Sequence, residues 1–274
     1  MTSGHPTDGT VGVPAPDDAP LLAAGLEPEP EPWPAPAAGA PPPRAVAIVV
    51  AAGAGVRMGA ERPKALMEVA GRPMVAWSVA ALAASARVAA IVVVAPPGHE
   101  AEIESALEGV AARVRVTTGG ESRAESVRAG LAAAPGDPEQ VLVHDAARPL
   151  LRPELVDAVL DGLDGAEGAV AAAPVADTLK RADATMMVGG TVDRGDLWAA
   201  QTPQAFWTGS LARAVDAAAA AGLLARATDC ATLVEQAGGT VRLVASLAPN
   251  LKVTTPADLA VAEALLGFPP TSGP

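Results

Sequence analysis

With 274 residues, half of them apolar, the chain has the length for one large α/β domain or two small ones and the area for a sizeable core. That core is aliphatic: two Phe, four Trp and no Tyr argue against a base-stacking nucleic-acid platform. A net charge of −12 argues equally against general nucleic-acid binding and against an anionic membrane surface, so an anionic ligand needs a local cluster of cations.

Residues 1–43 read as a disordered tail: they hold 12 of the 27 prolines and six acidic residues, with no Lys or Arg. The run EPEPEPWPAPAAGAPPP forms neither helix nor ladder and carries too little apolar bulk to fold. The N-terminus shows no basic segment followed by an apolar one, and no apolar run reaches membrane-spanning length, so a cytoplasmic protein without membrane contact is expected.

A domain is expected over 44–268, followed by a short disordered C-terminus at 269–274. Apolar, valine-rich runs predict strands at 45–52, 89–95, 114–118, 140–146, 168–175 and 241–246. Between and after them, helices are predicted at 73–85, 99–110, 123–134, 153–163, 209–222, 228–238 and 256–266. The last starts on Pro256 with Thr255 as its cap. Continuous apolar strands alternating with helices predict an α/β fold, a Rossmann-like, mostly parallel twisted sheet with helices on both faces. Residues 176–200 break the rhythm with a polar, glycine-punctuated stretch containing two short extended pieces, read as a projecting arm. Cys230, the only cysteine, leaves no internal disulfide and suits a reducing compartment.

Behind the first strand lies GAGVRMGAERPK (53–64). A phosphate-binding P-loop would follow its second glycine with Lys and Ser or Thr, which Gly59 does not have. A dinucleotide fingerprint needs G-x-G-x-x-G, whereas Gly53, Gly55 and Gly59 are spaced one residue too wide. What remains is a glycine loop whose amides can approach phosphates, carrying Arg57 and Lys64. Lysine is otherwise scarce: Lys64, Lys180 and Lys252 stand against 16 arginines, which flags the places where a compact ammonium is kept.

AAGAGVRMG and PK, then GGESRAES, VHDAARP, APVADTLKR, TVDR, QTPQAF, TDCATLVE and NLKVTTPADL follow in an order that resembles the 2-C-methyl-D-erythritol 4-phosphate cytidylyltransferase family over residues 45–266. The resemblance implies the nucleotide-diphospho-sugar transferase type of fold and attack by the phosphate of methylerythritol phosphate on the α-phosphorus of CTP, with release of pyrophosphate. That nucleophile is already anionic, so no general base is required, and His144 reads as a packing or hydrogen-bonding residue. Catalysis is then positioning plus electrostatics. The resemblance assigns it to Arg57, Lys64, Arg194 and Lys252.

The CTP site implied is Ala51, Ala52, Gly53, Ala54, Gly55, Gly120, Glu121, Ser126, Asp145 and Ala146, mostly through main-chain groups, with the Ser126 hydroxyl on the base. The acceptor site implied is Asp145, Arg148, Thr178, Arg194, Thr202 and Thr228, with the Arg194 guanidinium on the substrate phosphate. Mg²⁺ or another divalent cation is implied, held mainly by the CTP phosphates and water, with Asp145 as a residue that could help to place it. The arm is implied to cross to a second subunit of a homodimer, so that Thr178 and Arg194 complete the neighbour's site. Two departures stand out: Val56 where a second basic residue is usual, and Cys230 where an acid is usual. A cytidylyltransferase for ribitol 5-phosphate or another polyol phosphate is the near alternative, and a non-catalytic nucleotide-binding regulator the distant one.

Overall fold

The computed structural model describes residue 1 and residues 45–53 and 62–267. β1 (Ala45–Val50) sets the pattern. Ala45, Ala47 and Val49 point into one core, while Ile48 points to the opposite face against Gly130. A small hairpin of β2 (Glu68–Val69) and β3 (Arg72–Pro73) precedes α1 (Met74–Ala83), β4 (Val88–Ala95), α2 (Glu100–Ala106) and β5 (Val114–Thr118). Then come α3 (Arg123–Ala132), β6 (Gln140–Asp145), α4 (Pro153–Asp161) and β7 (Gly168–Pro174). The arm hairpin of β8 (Lys180–Ala182) and β9 (Val188–Thr191) leads into β10 (Trp198–Trp207), α5 (Thr208–Ala220), α6 (Cys230–Gln236), β11 (Val241–Ala245) and α7 (Pro256–Gly267).

The main sheet has seven strands in the order β11-β7-β10-β6-β1-β4-β5. All pairs are parallel except those of β10, which runs antiparallel to both β6 and β7. Valine, isoleucine and alanine of α1, α2 and α4 fill one face together with the inward side chains of β1, β4 and β6. On the other face, α3 packs on β1 and β4 while α5 and α6 pack on β10 and β7. This is the doubly covered, mostly parallel sheet that the apolar strand runs predict. Apart from Met1, the described residues belong to one compact unit, Pro34–Pro274, and none of their helices is long and apolar enough to cross a membrane. The tail expected beyond Met1 and the C-terminus expected at 269–274 lie outside the described residues.

One strand of the main sheet was not expected from the sequence. β10 carries Pro203, which normally demotes a strand because it cannot donate to the ladder. Here the pairing with β7 skips from Ala200 to Gln204, so Pro203 falls where the ladder is already interrupted. Its second half fills the gap between β6 and β7, with Phe206 fully buried.

Candidate active site

The strand order decides where a ligand can sit. From β1 the chain moves outward to β4 and β5, then returns across α3 to place β6 on the opposite side of β1. The connections leaving β1 and β6 therefore run towards opposite edges of the sheet and open a crevice at the carboxyl ends of the strands. A cavity of about 420 Å³ occupies that place. Ala51, Ala52 and Gly53 wall it after β1, Gly120 and Glu121 after β5, and Asp145 and Ala146 after β6. Lys64 and Lys252 join them from segments 188 residues apart in the chain (252 − 64). Ala54, Gly55, Val56 and Arg57 lie outside the described residues.

The loop after β5 is shaped by what it has to avoid. A Cβ on Gly119 would come within 2.7 Å of the Ala52 Cβ, and one on Gly120 would collide with Glu125. The Gly-Gly pair thus lets the loop lie directly on the start of α3 beside the end of β1. Ser122 caps α3: its hydroxyl accepts from the Glu125 N–H while the Glu125 carboxylate accepts from the Ser122 N–H at 2.8 Å. The buried Ser126 hydroxyl donates to the Ser122 carbonyl at 3.0 Å and accepts from the Gly120 N–H at 3.2 Å. Ser126 lines the cavity, its proton on the Ser122 carbonyl and one lone pair on the Gly120 N–H, so the hydroxyl holds this loop and keeps its second lone pair.

Asp145 is the electrostatic centre. Its Oδ2 accepts from Lys252 Nζ at 2.7 Å and its Oδ1 from Arg123 Nε at 3.1 Å. Burial would raise the carboxyl pKa, but Arg123 and Lys252 outweigh it and hold the group well below the usual carboxylate range. Arg123, within the GGESRAES motif but assigned no role from sequence, lines the cavity and also reaches Cys230 Sγ at 3.4 Å. The pairing was not legible because Arg123 and Asp145 come from different crossovers. Burial pushes the Cys230 thiol pKa up, so the sulfur is a neutral neighbour and not a nucleophile.

His144 next to it is fully buried. The Asp145 N–H donates to Thr202 Oγ1 at 3.0 Å, which turns the Thr202 hydroxyl proton towards His144 Nδ1, 3.1 Å away. That leaves His144 Nε2–H to donate to the Arg148 carbonyl at 3.3 Å. Burial lowers the ring pKa to about 4 against the pull of the Asp145 charge. The imidazole is therefore neutral and inward-facing, as the packing reading of the sequence expected.

Arg148 and Thr202 do not line the cavity. Arg148, 9 % exposed, donates from Nη1 to the Asn250 carbonyl at 2.7 Å, and the Asn250 amide donates to the Thr202 carbonyl at 2.8 Å. These contacts, with Val253 N–H to the Ala147 carbonyl, latch the Lys252 segment beside β6. In this structure the Arg148 Nη1 is on the segment that delivers Lys252 while its Nε is buried without an acceptor, and the Thr202 hydroxyl is on the end of β6. Thr255 does cap α7, accepting from the Asp258 N–H, while Asp258 accepts from the Thr254 N–H and hydroxyl.

Thr228 is exposed just before α6, its hydroxyl 3.2 Å from that of Thr232, and is not among the residues walling the cavity. Asp229 caps that helix and is held by the buried Gln204 amide at 2.9 Å. Thr178 and Arg194 lie exposed on the arm, Arg194 donating to the Val175 carbonyl at 3.3 Å, and neither reaches the cavity of its own chain.

A crevice at the switch point of a mostly parallel sheet, walled by main chain and glycine, with Lys252 and Arg123 paired to one carboxylate and Lys64 on the same wall, defines a nucleotide-handling α/β protein suited to phosphate chemistry. The family model described as 2-C-methyl-D-erythritol 4-phosphate cytidylyltransferase matches residues 45–267. A protein of that name from Ralstonia nicotianae is 46 % identical over 230 residues, spanning 79 % of this chain and 90 % of the relative. One from Streptomyces avermitilis is 44 % identical over 223 residues, spanning 77 % and 87 %. The crystal structure of the Thermus thermophilus cytidylyltransferase superposes with a TM-score of 0.68 at 35 % identity, covering 81 % of this chain and 98 % of that one. The chain belongs to the 2-C-methyl-D-erythritol 4-phosphate cytidylyltransferase family.

Proposed function

We propose that the protein transfers the cytidylyl group of CTP to 2-C-methyl-D-erythritol 4-phosphate, giving 4-diphosphocytidyl-2-C-methyl-D-erythritol and pyrophosphate, in the non-mevalonate isoprenoid pathway. The observation that carries this reading, beside family membership, is the meeting of Lys64 and Lys252 across a crevice walled by Ala51, Ala52, Gly53 and Gly120. Main-chain groups hold the nucleotide, and a phosphate oxygen of the acceptor attacks the α-phosphorus. The bond from the α-phosphorus to the bridging oxygen breaks, and its electrons leave with pyrophosphate. Charge growing on the phosphate oxygens is met by Lys64 and Lys252, with Arg57 from the loop. Because the attacking oxygen carries its own negative charge, no base is needed, in keeping with a His144 that is neutral and turned inward.

Mg²⁺ fits the donor set only as a partner of the triphosphate. Among the described residues no group of three or more His, Cys, Asp or Glu side chains is arranged to hold a metal, and Asp145 is already flanked by two cations. A cation chelated by phosphate oxygens and water suits this wall and supplies charge neutralisation to the triphosphate.

The protein is further proposed to act as a cytoplasmic homodimer joined through the arm. Met186, Met187 and Val188 at the hairpin tip are 81, 67 and 63 % exposed, an apolar cluster that a second copy would cover. In such a dimer Thr178 and Arg194 serve the neighbour's acceptor pocket, which accounts for their distance from their own. The test is direct. Purified protein with CTP, Mg²⁺ and methylerythritol phosphate is expected to release pyrophosphate, and Lys252→Ala to be at least about a hundredfold slower. No release by the wild type would remove the proposal, and an unimpaired Lys252→Ala would remove the role of that lysine.

A further inference from the structure

Arg123 has a shape that its present contacts do not use up. The side-on fork of a guanidinium is its Nε–H together with the adjacent Nη2–H, spaced to match the two oxygens of one carboxylate. Here Nε is on Asp145 Oδ1, while Nη2 is buried with no hydrogen-bond acceptor. The oxygen that Nη2 would take, Oδ2, is occupied by Lys252 Nζ at 2.7 Å. One prong of the fork is therefore engaged, and the other has no acceptor in the arrangement where Lys252 holds Oδ2.

The two cations differ in how firmly they are held. The Lys252 side chain is 41 % exposed at the cavity rim, whereas that of Arg123 is 21 % exposed and is fixed also by Nη1 on Cys230 Sγ. A phosphorylated ligand entering the cavity draws off the freer cation. Lys252 leaving alone would strip half the pairing from an Asp145 side chain that is only 10 % exposed, and a buried carboxylate losing a partner resists that step. The idle prong of Arg123 is placed to prevent the loss.

We propose that Arg123 is a positioning residue for cytidylyl transfer: its guanidinium closes onto both oxygens of Asp145 when Lys252 leaves that carboxylate for a substrate phosphate. The inference rests on the proposed role of Lys252 in phosphate binding. It makes Asp145 a parking place for the lysine in the empty site and Arg123 the partner that releases it. The charged and titratable groups around Asp145 are Arg123 from α3, Lys252 from the segment after β11, and His144 and Arg148 from its own segment, with Cys230 of α6 behind Arg123. His144 is neutral, Cys230 is a thiol, and Arg148 donates to the Asn250 carbonyl, so Arg123, already on Oδ1, is the one of these placed to replace Lys252 on Oδ2.

The test uses the full-length chain with CTP, Mg²⁺ and methylerythritol phosphate. Arg123→Met, which keeps the stem and removes the fork, is expected to lower kcat at least about tenfold at pH 8, equivalent to ~1.4 kcal/mol. Its acid limb should move to higher pH, because Asp145 without its retained partner takes up a proton more easily. Arg123→Lys should recover part of the rate by restoring one contact. Cys230→Ala should stay within about threefold of wild type, since it leaves the fork intact. Combined with Asp145→Asn, the Arg123→Met change should add little to the loss from Asp145→Asn alone. A rate for Arg123→Met within threefold of wild type, an unmoved acid limb, or losses that multiply in the double variant would each overturn the proposal. A readout independent of turnover and of the folding of Arg123 variants is a crystal structure of Lys252→Met. Nε and Nη2 should then each lie within about 3.2 Å of an Asp145 oxygen, and a guanidinium still on Oδ1 alone would refute the switch. Because that structure does not depend on activity, an inactive wild type would remove the functional reading while the geometry was judged separately.

Discussion

Acidification should unfold this protein through His144, by an amount that can be worked from its burial. In an unfolded chain the ring has its ordinary pKa near 6.5, whereas burial in the fold lowers it to about 4. Between those values the unfolded state binds more protons than the native one, so stability rises with pH and is lost as pH falls from 6.5 towards 4. From pH 8 to pH 4.5 the loss is roughly 2.5 kcal/mol for this one ring, a large part of the margin of an ordinary domain. Asp145 acts in the same direction but in a lower window. Its depressed pKa stabilises the fold above the unfolded value and is lost only as pH falls through the carboxylate range, below about pH 4. The assay is urea unfolding at several pH values for the wild type and for His144→Gln, which offers an acceptor to Thr202 and a donor to the Arg148 carbonyl without a titratable ring. The variant should lose at least 1.5 kcal/mol less than wild type across the interval, a figure set below the roughly 2.5 kcal/mol estimate. Equal losses in the two proteins would refute the assignment of acid sensitivity to His144, and with it the argument that this ring is a neutral part of the scaffold.

Gly119→Ala should impair turnover strongly, because its Cβ would meet Ala52 at 2.7 Å and push the β5 loop off the nucleotide wall; wild-type KM for CTP in that variant would contradict the close-approach argument. Asn250→Ala removes the amide that donates to Gln201 Oε1 and the Thr202 carbonyl, and should cost about 1–3 kcal/mol in urea unfolding while lowering kcat through the displaced Lys252. Met187→Asp at the arm tip should shift the protein to monomers in sedimentation and reduce turnover with it, if Thr178 and Arg194 serve the neighbour. Deleting residues 2–43 should leave kcat and KM unchanged.

The parallel sheet was readable because strands buried on both faces appear as unbroken valine and alanine runs, as in AVAIVV and VAAIVVVA. The position of the site was readable for a related reason: Asp145 and the glycine loop both follow such runs, where crossovers diverge. β10 was hidden by Pro203 and by its start within the arm, two local signals against a strand that the surrounding sheet overrides. Roles for Arg123 and Asn250 were hidden because each depends on a partner over 20 residues away (Asp145) or nearly 50 (Thr202), and nothing in either residue's neighbourhood announces it. Arg148 and Thr202 show the converse. They belong to motifs shared with a family of enzymes, yet the Arg148 side chain here holds Lys252's segment and the Thr202 hydroxyl the end of β6, and neither lines the cavity.

The measurement that bears most directly on the central claim is kcat/KM for methylerythritol phosphate against ribitol 5-phosphate, at fixed CTP and Mg²⁺, with the product identified by mass. The account predicts turnover of methylerythritol phosphate to its cytidine diphosphate conjugate with at least about tenfold preference, ~1.4 kcal/mol of discrimination. Preference for ribitol 5-phosphate, or no cytidylyl transfer to either acceptor, would contradict it.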